Sequence, residues 1–172
     1  MQRKYLGDSY DAVKRLWQTI FDSWAPLRAT PRFVPAELYA DFTAMTGIPI
    51  LNSNEPREYS VFNDPDTGIH LPTSSGQADS VSHIGLATIC SQLQSKLVRC
   101  VITYDQSHHR KKDLPREAQR QAKLEWLLER QVQAFYYVSH APFLFAFRNI
   151  KSRDTALGLL TRAGIPRDRF HP

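Results

Sequence analysis

The sequence predicts a single α/β domain of three layers, a mostly parallel sheet flanked by helices with an antiparallel edge. Three observations predict it. Helical and strand-like segments alternate through the middle of the chain, the order that gives a sheet covered by helices on its faces. Val98 to Tyr104 is an apolar, β-branched run whose one charge is Arg99 near its start, as a strand buried on both faces requires. Two aromatic-rich segments, Ala134 to Val138 and Phe143 to Phe147, are separated only by Ser139-His140-Ala141-Pro142 and form a tight antiparallel pair.

The elements follow in order. Residues 8–24 form the strongest helix, with Asp8 as N-cap and Asp11 near the positive end of the dipole. Tyr10, Val13, Leu16, Trp17, Ile20, Phe21 and Trp24 make its apolar stripe. Pro26 and Pro31 end it. Arg32 to Val34 is expected as a short strand. Pro35 suits the first turn of a helix reaching Thr46, which Gly47 closes in a left-handed conformation. Ile48 to Arg57 reads as a loop, and Tyr59 to Phe62 as a strand stopped by Asn63-Asp64-Pro65-Asp66-Thr67-Gly68. Residues 73–80 are small and polar, a surface loop. Ile84 to Leu97 has helical spacing, as has Pro115 to Gln131, with Leu124, Leu127, Leu128 and Val132 on one face. The last helix spans Arg153 to Ala163, with Ser152 as cap and Gly164 as stop.

Composition bounds the rest. The 172 residues suit one domain, and 42% hydrophobic with 23% charged residues supports a packed core. Nine Phe, seven Tyr and three Trp argue against disorder. No apolar stretch reaches membrane-spanning length, and no secretory signal is visible, so a cytoplasmic, membrane-free protein is expected. Cys90 and Cys100 are too few for a disulfide framework and too dispersed for a zinc site. The net charge of +5 is uneven. Residues 36–104 hold three basic and seven acidic side chains, while the rest holds nineteen basic and ten acidic. A basic surround about an acidic centre suits a polyanion partner such as nucleic acid or a nucleotide.

In an open sheet, ligands sit beyond the carboxyl ends of the strands. Asp64 and Asp66 follow a strand there. Two carboxylates on a turn stiffened by Pro65 can accept hydrogens from a substrate amine or hold a hard divalent cation. They are the expected catalytic pair, and His70 could join them around a metal. Gln106, His108 and Arg110 follow the next strand and are expected to contact substrate or phosphate, with His109, Lys111 and Lys112 beside them. Lys14 lies off the apolar stripe of its helix and reads as a surface ion pair. His83 and His140 read as loop or core residues, and Tyr136, Tyr137, Phe143, Phe145 and Phe147 as core and sheet residues.

These motifs resemble a family of uncharacterised bacterial and phage proteins. That family opens with Tyr-x-Gly-Asp-x-x-Asp-x-x-Lys, here Tyr5, Gly7, Asp8, Asp11 and Lys14. It continues with Asp-Pro-Asp-x-Gly, here Asp64 to Gly68, and with Tyr-x-Gln and a downstream Arg, here Tyr104, Gln106 and Arg110. More remotely, the arrangement is similar to the J-type rRNA adenine methyltransferases. That similarity implies a Rossmann-like, methyltransferase-like fold with S-adenosylmethionine as methyl donor. It also implies a cofactor-binding role for Asp8, Asp11 and Lys14, with Asp64 and the Pro65 carbonyl accepting the target amine's hydrogens. Where that motif carries Pro and an aromatic, this chain has Asp66 and Thr67. Three functions are therefore expected in order: a methyltransferase-like enzyme acting on nucleic acid or a nucleotide, a divalent-metal-dependent nuclease or phosphodiesterase, and a non-catalytic interaction module of phage or mobile-element origin.

Overall fold

The computed structural model describes residues 6–72, 78–108 and 114–172. Its strands in chain order are β1 (Leu27–Ala29), β2 (Tyr59–Asn63), β3 (Gly68–Ile69), β4 (His83–Ile84), β5 (Val98–Tyr104), β6 (Gln133–Tyr137), β7 (Phe143–Phe147) and β8 (Phe170–His171). Six form one sheet in the order β1-β2-β5-β7-β6-β8, and β3 with β4 makes a separate two-stranded parallel ladder. β1, β2 and β5 pair in parallel. β7 is antiparallel to both its neighbours, β5 and β6, and β8 is antiparallel to β6 at the edge.

The sheet is therefore mixed rather than mostly parallel, and the antiparallel element lies inside it as well as at its edge. The short connection between β6 and β7 obliges them to pair antiparallel. Which of them meets β5 follows from composition. Phe-Leu-Phe-Ala-Phe carries no polar side chain, and all five residues of β7 are buried, whereas β6 begins with a half-exposed Gln133. The more apolar strand takes the inner place, where both faces and both edges are covered.

Helices α1 (Ser9–Phe21), α2 (Tyr39–Thr46), α3 (Leu86–Gln92), α4 (Arg116–Leu128) and α5 (Ile150–Arg162) complete three layers. On one face, Trp17 and Phe21 of α1, Phe42 of α2 and Ala156 and Leu160 of α5 pack on Phe62, Phe143, Phe145 and Phe147. On the other, Leu86 and Ile89 of α3 and Leu124 and Leu127 of α4 pack on Val61, Val101, Leu144 and Ala146. Each large side chain so buried contributes roughly 1.5–3 kcal/mol.

Several boundaries differ from expectation. The strand lies at Leu27–Ala29, and Pro31–Phe33 is a 3-10 turn. Pro31 and Pro35 flank that turn without N–H groups to donate to a ladder, while Leu27 to Ala29 can pair with β2. The helix expected from Ile84 begins at Leu86, because His83 and Ile84 pair with Gly68 and Ile69. Leu128, expected on the inner face of α4, is 60% exposed, since the helix ends there. α5 starts earlier than expected, capped by Asn149, whose side chain accepts from Ser152 N–H. Asp8 caps α1 and Gly47, at φ +72°, closes α2, both as expected. Cys90 and Cys100 are free. Among the described residues no helix is long and apolar enough to cross a membrane.

Candidate functional site

The start of α1 is built from short-range hydrogen bonds. Asp8 accepts from the N–H groups of Tyr10 and Asp11, fixing the first turn. Asp11 Oδ2 accepts from Gly7 N–H at 2.7 Å, which turns its other oxygen along the helix toward Lys14, one turn on. Lys14 Nζ donates to Asp11 Oδ1 at 2.9 Å and to Asp64 Oδ2 at 2.7 Å. All three groups are buried, with Asp11 3%, Lys14 5% and Asp64 6% exposed. Lys14 is thus no surface ion pair. Burial works against its charge, but Asp64 and Asp11 more than offset that and hold its pKa above the ordinary 10.5. The apolar stripe of α1 continues toward its N-terminus as a polar one, and Asp11 and Lys14 fall in line with Trp17 and Phe21.

Asp64 directly follows β2, and its neighbour strand β5 delivers Tyr104 and then Gln106 to the same end of the sheet. Tyr104 donates to Gln106 Oε1 at 2.7 Å, and Gln106 Nε2 donates to the Tyr10 hydroxyl of α1 at 3.3 Å. Burial, with the nearby Tyr10, Asp64 and Asp8, pushes the Tyr104 phenol well up. The Tyr10 ring meets that of Tyr104 edge-on at 5.7 Å and that of His140 at 5.6 Å. One helix thus holds the ends of both strands, by Lys14 at β2 and by Tyr10 at β5. Beside them, Asn63 joins Thr30, Thr103 and Gln92 in a hydrogen-bonded cluster across β1, β2 and β5.

No protein-family model, no curated protein and no solved structure matches this chain.

Of the expected site residues, Asp8, Asp11, Lys14, Asp64 and Gln106 come together. Asp66 does not share the burial of Asp64; it is exposed on the turn, its N–H bonded to the Val81 carbonyl. His70 stacks on His83, the rings 4.6 Å apart and 11° from parallel, and among the described residues no three-donor group of His, Cys, Asp and Glu is placed to hold a metal ion. The expected Asp64, Asp66 and His70 metal cluster is therefore not assembled. His108 is exposed and lines a small cleft with His70 and His83. Arg110, His109, Lys111, Lys112 and Tyr5 lie outside the described residues.

A second polar centre lies beneath that cleft. Asp105 Oδ2 accepts from Lys123 Nζ and from the Tyr136 hydroxyl, each at 2.6 Å. Its Oδ1 accepts from Ile69 N–H at 2.9 Å and lies 2.5 Å from Ser107 Oγ, which in turn accepts from Lys123 at 2.8 Å. Burial would raise the Asp105 carboxyl, but Lys123 and the hydrogen bonds of Ser107 and Tyr136 hold it below its ordinary range. Sequence reasoning missed Lys123, yet a signal was there. Gln119, Lys123 and Leu127 recur at four-residue spacing and face inward together. A lysine on a buried stripe requires a carboxylate partner, and a tyrosine inside an apolar strand requires one for its hydroxyl.

Chemically, the Asp64 centre offers a carboxylate with one oxygen fixed. Oδ2 is held by Lys14, while Oδ1 makes no side-chain hydrogen bond among the described residues. Such a group accepts a hydrogen bond, or a proton, from an amine or hydroxyl presented beside Gln106.

Proposed function

We propose that this chain is an enzyme of methyltransferase-like fold that acts on a nucleotide or nucleic acid at the carboxyl ends of β2 and β5. The observation that carries the reading is the convergence of Asp64, Lys14 and the Tyr104–Gln106 pair under α1. Asp64 Oδ1 accepts the hydrogens of a substrate amine, as on the exocyclic nitrogen of a base. Lys14 is a positioning residue that sets the carboxylate rotamer. Gln106 offers donor and acceptor atoms at the exposed side of the same site, suited to the edge of a base. A sheet in which β1, β2, β5 and β6 share one direction, with β7 inserted antiparallel between β5 and β6 and β8 antiparallel at the edge, supports the fold reading.

S-adenosylmethionine is the cofactor the resemblance implies, and the residues present do not fit it. Backbone approach to such a cofactor needs a glycine-rich turn after the first strand. Here β1 runs into Thr30-Pro31-Arg32-Phe33, a proline-led 3-10 turn with a buried phenylalanine. Thr30 is itself tied to Asn63 at 2.6 Å. Lys14, expected to approach the cofactor, is held between two carboxylates instead.

Calorimetric titration of the native protein and of Asp64→Asn with nucleoside monophosphates and with S-adenosylmethionine tests the reading. The expected outcome is nucleotide binding weakened at least tenfold by Asp64→Asn, a loss of roughly 1.4 kcal/mol, with no response to S-adenosylmethionine. Equal nucleotide binding by both proteins, or none by either, sinks the proposal in favour of a non-catalytic module.

A further inference from the structure

We propose that the cleft between the β3–β4 ladder and the chain after β5 binds a phosphate-sized anion through the imidazoles of His70, His83 and His108. β3 ends one residue before His70, β4 begins with His83, and the pairing of Gly68 with His83 brings the two histidines side by side. The segment after β5 adds Ser107 and His108, so that three imidazoles from three stretches of chain line one opening together with Thr67 and Gln119.

Size selects the ligand class. The cleft is small, about 80 Å³. A group the size of one tetrahedral oxyanion fits that opening.

Hydrogen bonding and charge select the sign. Among the described residues, none of the three rings makes a side-chain hydrogen bond, so their N–H groups remain for a ligand. Asp105, whose charge acts on His83, is no deterrent to an anion. Lys123 balances its charge, and Tyr136, Ser107 and the Ile69 N–H engage its oxygens.

The stacked pair supplies the logic. Two imidazoles with faces 11° from parallel pack well when neutral and repel when both are protonated. Burial, then the neighbouring His70, lowers the His83 pKa below 6.5, with Asp105 opposing and Lys123 adding to the effect. An anion seated against the rings offsets that repulsion, so binding and protonation are linked: the anion raises the histidine pKa, and acid tightens the anion.

The test is a histidine-resolved NMR titration of the native full-length chain from pH 5 to 8.5. It is run at constant ionic strength in chloride, then with inorganic phosphate, then with a nucleoside 5′-monophosphate. The expected result is a rise of about one unit in the His83 midpoint at saturating phosphate, with affinity falling about tenfold over the titration range as pH rises. His70→Asn and His83→Asn are expected to weaken phosphate binding at pH 6 at least tenfold. An equal response to both ligands identifies the free anion as the ligand, and a larger response to the monophosphate identifies an esterified phosphate. Titration curves that neither ligand displaces overturn the proposal, and because the readout is phosphate at the histidines, that failure leaves the Asp64 reading untouched.

Discussion

Lys14 reaches across 50 residues of sequence to Asp64 at 2.7 Å, with water nearly excluded from both groups. A pair in that setting is fragile to one-sided change, because removing the cation leaves two buried carboxylates, Asp11 and Asp64, facing each other. Lys14→Met is expected to cost about 3–5 kcal/mol in urea unfolding. Adding Asp64→Asn to Lys14→Met should recover part of that loss, since one of the stranded charges is removed. Costs that simply add would show that the two residues do not share an interaction. The sequence carried half of this. Asp8 as a cap and Asp64 as a strand-end carboxylate were legible from local rules, but the burial of Lys14 was not. Its partner across the fold is set by which helix covers which strand, and no local spacing encodes that.

At the scale of elements, the turn after β2 depends on one close approach. Gly68 sits at φ +140°, and a β-carbon there would stand 2.8 Å from the Asp105 Cα, too near for any side chain. The absent side chain lets β3 lie against β5 so that Ile69 N–H reaches Asp105. Gly68→Ala is expected to cost about 3 kcal/mol, the upper end of overpacking penalties. It should also broaden the amide resonances of residues 64–70 and 105–107. A fully native spectrum with unchanged thermal midpoint would contradict this. β5, β6, β7 and most helices were readable because each carries its own apolar period. β1, β3, β4 and β8 were not, since two- and three-residue strands carry no period and exist only through their partners.

For the molecule as a whole, Asp105 ties β5, β6 and α4 to the β3–β4 ladder through Tyr136, Lys123 and Ile69. Its carboxyl titrates below the ordinary 3.8. A group depressed on folding contributes stability that is present above the unfolded value and lost as pH falls through the folded one. The native protein should therefore lose thermal stability steeply on acidification below about pH 4, more so than Asp105→Asn, whose deficit at pH 7 should narrow as the pH drops. Parallel curves for the two proteins would deny Asp105 that role. The α/β class and the layers flanking the sheet were predictable from alternation. The inward antiparallel strand was not, because a hairpin can present either of its members to the sheet.

That inward strand has a consequence during synthesis on the ribosome. β5 is complete at residue 104, yet the partner for its second edge, β7, is made only at residues 143–147. For some forty residues of elongation, a nascent chain therefore carries an apolar ladder of unpaired amides, the kind of edge that recruits neighbouring chains. A fragment truncated near residue 140 keeps that edge for good and should sediment, where the full chain stays dispersed.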